Sequence, residues 1–212
     1  MTKPPLAGIT DASGTEDRAA ASAATASTRR ANFQAAIRPE LVAREDAFRK
    51  RMALDNSSRR SKLRKIYAFT DELSHLREPF IACRRGCSDC CRMNVMISDL
   101  EAETIASAIG RQAVRLQRAL AHPLDAFNGT ACPFLRDGEC GIYEHRPYAC
   151  RKHANFDTSA YWCEPSRSNG ASLPMVEFSE VKGAFSDVTK LGDGGIFADI
   201  RDFFQDVGGI DN

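Results

Sequence analysis

Four of the eight cysteines fall in one short run, Cys83-Arg-Arg-Gly-Cys87-Ser-Asp-Cys90-Cys91, and all eight lie between Cys83 and Cys163. This run constrains the chain more than any other feature. Thiolates this dense hold a soft or borderline metal well. They make poor disulfides, because bridge geometry needs separated, converging Cβ vectors that the neighbours Cys90 and Cys91 do not have. Two adjacent thiols in a turn can instead reach two different metal positions.

The other cysteines arrive on separate segments. Cys132-Pro-Phe-Leu-Arg-Asp-Gly-Glu-Cys140 reads as a small hairpin with Asp137-Gly138 as its turn, bringing Cys132 and Cys140 together. Cys150 and Cys163 follow, with Pro147 placed to start a short helix that carries Cys150. Close pairs supply several ligands at little loop entropy, and distant segments close the shell. Gly86, Gly138 and Gly141 let backbone N–H groups approach the sulfurs. Arg84, Arg85, Arg92, Arg136, Arg146, Arg151 and Lys152 stand beside the cysteines, where their charge offsets that of a thiolate site.

The 212 residues allow one domain with extensions or two small domains. With 43% hydrophobic and 27% charged residues the composition is that of a globular protein. A net charge of +1 gives no general reason to expect nucleic acid or a membrane surface as partner. The stretch Arg29 to Lys65 is basic and Val176 to Asn212 mostly acidic; the basic stretch reads first as a solvated helix face, with a docking surface for an acidic partner as the alternative. No window holds the long apolar run a membrane span needs. The opening MTKPPLAGIT lacks a charged region followed by an apolar one, and Asp11, Glu16 and Asp17 argue against a transit peptide. The expected compartment is cytoplasmic, where thiols stay reduced and metal binding is favoured over a disulfide framework.

The periodicity predicts a mainly α protein: a small helical metal-binding domain with a loop-rich cysteine cluster and a short β-hairpin. Residues 1–31 are rich in Ala, Ser and Thr and read as a disordered tail. Over 32–79 a helical hairpin is expected. Phe33, Ile37, Leu41, Phe48 and Met52 mark its first helix, with Pro39 as a possible helix start. Leu63, Ile66, Tyr67, Leu73 and Leu76 mark its second, capped at Asn56 or Ser57 and stopped by Glu78-Pro79. The cysteine domain spans 80–165. Within it Asn94 to Ile97 looks extended, and Ser98-Asp-Leu-Glu101 is a capping box for a helix reaching about Ala121 that Gly110 kinks or divides. Over 166–212 a helical extension is expected, with stripes Phe178, Val181, Phe185, Val188 and Ile196, Ile200, Phe203, Val207 either side of the Gly-rich break at Gly192 to Gly195.

The run CRRGCSDCC, then CPFL, then GECGIYEHRPYACR, resembles the YkgJ-like or CxxCxxCC cysteine-cluster family, described as a zinc- or iron-chelating domain. The likeness covers roughly residues 80–165 and includes the segment from Val95 through the capping box. It implies Cys83, Cys87, Cys90, Cys91, Cys132, Cys140 and Cys150 as metal ligands. Cys163 stands where family members often carry one more cysteine. The resemblance keeps both an iron–sulfur cluster and Zn2+ open. Eight thiols could serve two four-thiolate sites, or one cluster plus a second metal, and the expected role is chelation, metal handling or electron transfer.

The spacing Cys83, Cys87, Cys90 also equals the cluster motif of radical enzymes that use S-adenosylmethionine. Those enzymes need a parallel α/β barrel, and no strand–helix alternation exists here. His153, three residues after Cys150, is a further candidate ligand. His75, His122 and His145 have no evident acid or serine partner for hydrolysis, and no nucleotide-binding Gly pattern is present. Two alternatives remain open. One is a methyl-transferring enzyme, since flagellin lysine N-methylases carry a similar cysteine cluster. The other is a zinc-stabilised interaction or nucleic-acid-binding module using the basic stretch.

Overall fold

Helix α1 spans Ala12–Ala36 in the computed structural model, which describes residues 12–205. A helix thus replaces the disordered tail expected over 1–31, at least from Ala12 onward; the earlier residues lie outside the described chain. Alanine has the highest helix propensity, so the same composition that lacks large apolar groups still forms a helix once something anchors it. The anchors are Ala26 and Phe33, both fully buried. Phe33 packs against the rings of Phe80, Phe156 and Phe178, at centroid distances of 5.9, 5.8 and 6.4 Å. Arg29 Nε donates to the carbonyls of Phe80 and Phe156, both at 3.0 Å.

The first helix of the expected hairpin is broken. Pro39 starts a separate helix, α2 (Pro39–Asp46), and α3 (Phe48–Leu54) follows at once. Proline lacks the N–H that would continue α1, but suits the first turn of a new helix. The second hairpin helix is α4 (Arg59–Arg77). Its cap is Ser58 rather than Asn56 or Ser57, with the Ser58 hydroxyl accepting from Ser61 N at 3.3 Å. Both α3 and α4 pack on α7 (Ser179–Thr189). The C-terminal segment therefore completes the helical core instead of extending from it. Leu41, Phe48, Met52, Leu63, Ile66, Phe69, Val181 and Phe185 fill that core.

The second half has little regular structure. Strand β1 (Met96–Ser98) pairs antiparallel with β4 (Phe197–Asp199), so that Ile97 faces Ala198. This small sheet was not anticipated, because its strands are about 100 residues apart in sequence. The capping box forms as expected: Ser98 Oγ accepts from Glu101 N, and Glu101 accepts from Ser98 N. It opens α5 (Asp99–Ile109), which stops well short of Ala121. Gly110 caps it at φ +67°, the left-handed conformation glycine adopts without cost. Beyond it the chain runs past the C-terminal segment, with Val114 N bonded to Phe203 O and Leu120 N to Phe197 O. These bonds take the backbone donors that a longer helix would need.

The hairpin forms from β2 (Leu135–Arg136) and β3 (Glu139–Cys140), and Asp137 and Gly138 both take positive φ, as its tight turn requires. Helix α6 (Tyr148–Lys152) follows Pro147 as expected. The last helical stripe shortens to β4 and α8 (Ile200–Phe203), and Val207 lies outside the described residues. Before β4, Gly195 lies tight against the end of α7. A Cβ there would come within 2.3 Å of Thr189 O and 2.7 Å of Lys190 O. Gly195→Ala should therefore destabilise the protein by about 1–3 kcal/mol through backbone displacement. Urea denaturation checks this, and an unchanged midpoint would contradict it.

Glu101 joins the two halves. It is fully buried, and its carboxylate accepts from Ser98 N, Ser98 Oγ, Tyr67 OH and Tyr148 N at 2.8–3.1 Å. Burial pushes its pKa up and the four donors pull it down. An acceptor-only group fits this nest of donors. The carboxylate thereby ties α4 and the start of α6 to α5.

Candidate metal centre

The cysteine arm begins after α4, which stops at Glu78-Pro79 as expected. Gly86 takes φ +87° in the turn that folds Cys87 N back onto Arg84 O. A 3-10 turn over Asp89–Arg92 carries Cys90 and Cys91. Cys132 N donates to Cys91 O at 2.7 Å, docking the second cysteine segment on the first. Gly141 N bonds to Phe134 O at 2.8 Å. A side chain at Gly141 would press on that carbonyl, at 3.1 Å. Cys132 belongs to one apolar cluster with Val95, Ile142 and Phe204, and Cys91, Cys140 and Cys150 pack against it.

Cys83 and Cys163 have different surroundings. Asn155 N donates to Cys83 Sγ at 3.3 Å, and Asn155 Nδ2 donates to Cys163 Sγ at 3.1 Å. Ala82 N in turn bonds to Asn155 O at 2.8 Å. Cys163 ends a 3-10 turn over Tyr161–Cys163 that α1 pins from outside. Trp162 Nε1 donates to Ser22 Oγ at 2.9 Å, and Arg18 and Arg167 lie against the Tyr161 ring.

An open cleft of about 440 Å³ runs along the arm, with Cys83, Cys87, Cys90, Cys150 and His153 in its wall. Five arginines, Arg77, Arg84, Arg85, Arg146 and Arg151, complete it. Arg77 is 4% exposed. Its guanidinium donates to the carbonyls of Lys152, Arg151 and His153. Burial pulls its pKa down to about 10. Arg77 Nε and Arg146 Nε have no hydrogen-bond partner among the described residues. Arg151 pairs with Asp71 and donates to Arg146 O and Glu144 O. His153 is held neutral by burial and by the charges of Arg77 and Lys152.

All eight cysteines are free thiols. Contact between the Cys90 and Cys91 side chains lowers Cys91 and raises Cys90. Burial pushes Cys132 up to about 12 and Cys163 to about 11, and raises Cys87, Cys140 and Cys150 as well. The cleft is thus rich in cations, and a metal-thiolate group would bring negative charge to it. The donor set fits zinc or iron: soft sulfur ligands, free of disulfides, with N–H and guanidinium groups close by. Among the described residues no three cysteine, histidine, aspartate or glutamate side chains converge closely enough to hold an ion as they stand. The structure gathers the thiols into neighbourhoods without closing them into cages.

Residues 82–165 match the family model CxxCxxCC, "putative zinc- or iron-chelating domain". The match covers 84 of the 212 residues, the central segment of the chain. Its bounds enclose all eight cysteines and both thiol neighbourhoods. No curated protein matches the chain, and no solved structure does.

Several residues around the cysteine thiols had no signal in the sequence. Asn155 looked like an ordinary loop residue, and Arg77 like the basic end of a helix. Arg201, 110 positions from Cys91, donates to Cys91 O at 3.3 Å and to Thr130 O at 2.6 Å. Only tertiary contact reveals these roles. The other histidines stand apart from the thiols. His122 Nε2 lies 2.8 Å from Asp202, a partner not evident in sequence, and His75 meets the Asp71 carbonyl. His145 lines a separate cleft beside Arg60 and Arg64. Among the described residues no helix is long and apolar enough to cross a membrane.

Proposed function

We propose that the protein chelates iron, as an iron–sulfur cluster, or zinc, with thiolate ligands drawn from Cys83, Cys87, Cys90, Cys91, Cys132, Cys140, Cys150 and Cys163. It would serve in metal handling or electron transfer, in the reducing cytoplasm. The observation that carries this reading is that eight free thiols occupy the one segment matched to a chelating family. The arginine-lined cleft supports it, since tetrathiolate sites are net anionic and need cations nearby. His153, neutral and facing the same cleft, is the reserve ligand.

The test is metal analysis and a visible spectrum of anaerobically purified protein. Visible absorption with bound iron identifies a cluster; stoichiometric zinc without colour identifies the alternative. Colourless protein with no metal and eight titratable thiols would sink the reading. Because the ligands come from separate segments, the metal should also hold the fold together. A strong chelator is expected to lower the melting temperature by several °C or more, as loss of a native-state ligand does. An unmoved melting curve after metal removal would mean that the metal is not structural.

A further inference from the structure

We propose that the eight thiols form two separate metal sites, with the Cys90-Cys91 peptide as the divide. This rests on the chelating function proposed above and specifies how the ligands are shared. One set is Cys91, Cys132, Cys140 and Cys150. Cys132 lies in one apolar cluster, and the other three pack against it. Their backbones are tied together by the bond from Cys132 N to Cys91 O and by the hairpin that holds Cys140 opposite Leu135. The other set is Cys83, Cys87, Cys90 and Cys163. Asn155 bridges Cys83 and Cys163 with its two N–H donors. Cys83, Cys87 and Cys90 share the wall of the arginine cleft.

The two sets differ physically. The first packs into the apolar cluster of Val95, Ile142 and Phe204, whereas the second borders an open cleft. Cys150 also reaches the cleft wall, but it packs with the first set. The Cys90 and Cys91 side chains touch, but Cys90 lines the cleft while Cys91 is tied through its carbonyl to Cys132, so the two neighbours can serve different ions. Each set offers the four sulfurs that a closed tetrahedral site needs. Arg77, Arg84, Arg85 and Arg146 stand by the second set, where they would offset the charge of an anionic tetrathiolate. The site packed into the apolar cluster should hold its metal tightly, and the cleft site should exchange it.

The test loads reduced, metal-free full-length protein with zinc alone and counts bound ions by native mass spectrometry. Wild type is expected to hold two zinc ions. Cys132→Ser and Cys163→Ser should each hold one, and the double variant none. A colorimetric chelator should strip wild type in two phases of equal amplitude, with the fast phase missing from Cys163→Ser. That measurement decides the matter even if Cys132→Ser fails to fold. Two ions retained by Cys163→Ser, loss of all zinc from that variant, or a single release phase from wild type would overturn the division. One zinc per wild-type chain would also overturn it while leaving the chelating function intact. No zinc bound by wild type would instead count against the chelating function itself.

Discussion

Replacing Asp199 with alanine is expected to destabilise the protein by about 3–5 kcal/mol, the range for removing one partner of a buried ion pair. Asp199 is 1% exposed. One carboxylate oxygen accepts from Val95 N at 2.6 Å, and the other from Arg201 N and the Arg201 guanidinium at 3.0 and 2.8 Å. Alanine would strand a buried N–H and a nearly buried cation at once, and it would remove the cap of α8. The damage should reach the cysteines, because the same guanidinium holds the carbonyls of Cys91, Met93, Thr130 and Ala131. Guanidinium denaturation of the variant gives the number. A loss under about 1 kcal/mol would mean that the pair is dispensable.

Phe33→Ala should cost about as much, 3–5 kcal/mol, the usual figure for a fully buried aromatic truncated to alanine. In a domain of this size that corresponds to a fall of roughly 6–20 °C in melting temperature. Phe33 is the only large side chain of α1 that is fully buried among the described residues, and three rings surround it. Two of those rings precede and follow thiol-holding positions: Phe80 leads into Cys83, and Phe156 follows Asn155. Calorimetry of the variant distinguishes an integral helix from an appendage. A melting temperature within 1–2 °C of wild type, inside the range of neutral surface substitutions, would make α1 an appendage.

Local rules accounted for much of the helical half. The stripes Leu63, Ile66, Leu73 and Val181, Phe185, Val188 all point into the core, because burial of one face is the chief stabiliser of a helix and leaves its period in the sequence. The capping box at Ser98, the turn at Asp137-Gly138 and the stop at Glu78-Pro79 were equally legible. Each is decided by residues within four positions of one another. The miss at residues 12–31 has the opposite cause. An alanine-rich segment carries little apolar periodicity, and its order depends on Phe80, Phe156 and Trp162 far along the chain.

What the sequence by itself determined is the chemistry of the centre: eight thiols in a fixed order, set among arginines, on a mainly helical chain. The tertiary structure decided which thiols are neighbours. Cys90 and Cys91 are adjacent in sequence yet face different surroundings, while Cys83 and Cys163, 80 residues apart, share the amide and side chain of Asn155. It also decided that β1 pairs with β4 and that Arg201 reaches the loop of Cys91. Ligand type is a property of single residues and is written in the chain. Ligand grouping depends on loop closures across many residues, whose outcome is set by the packing of the whole core.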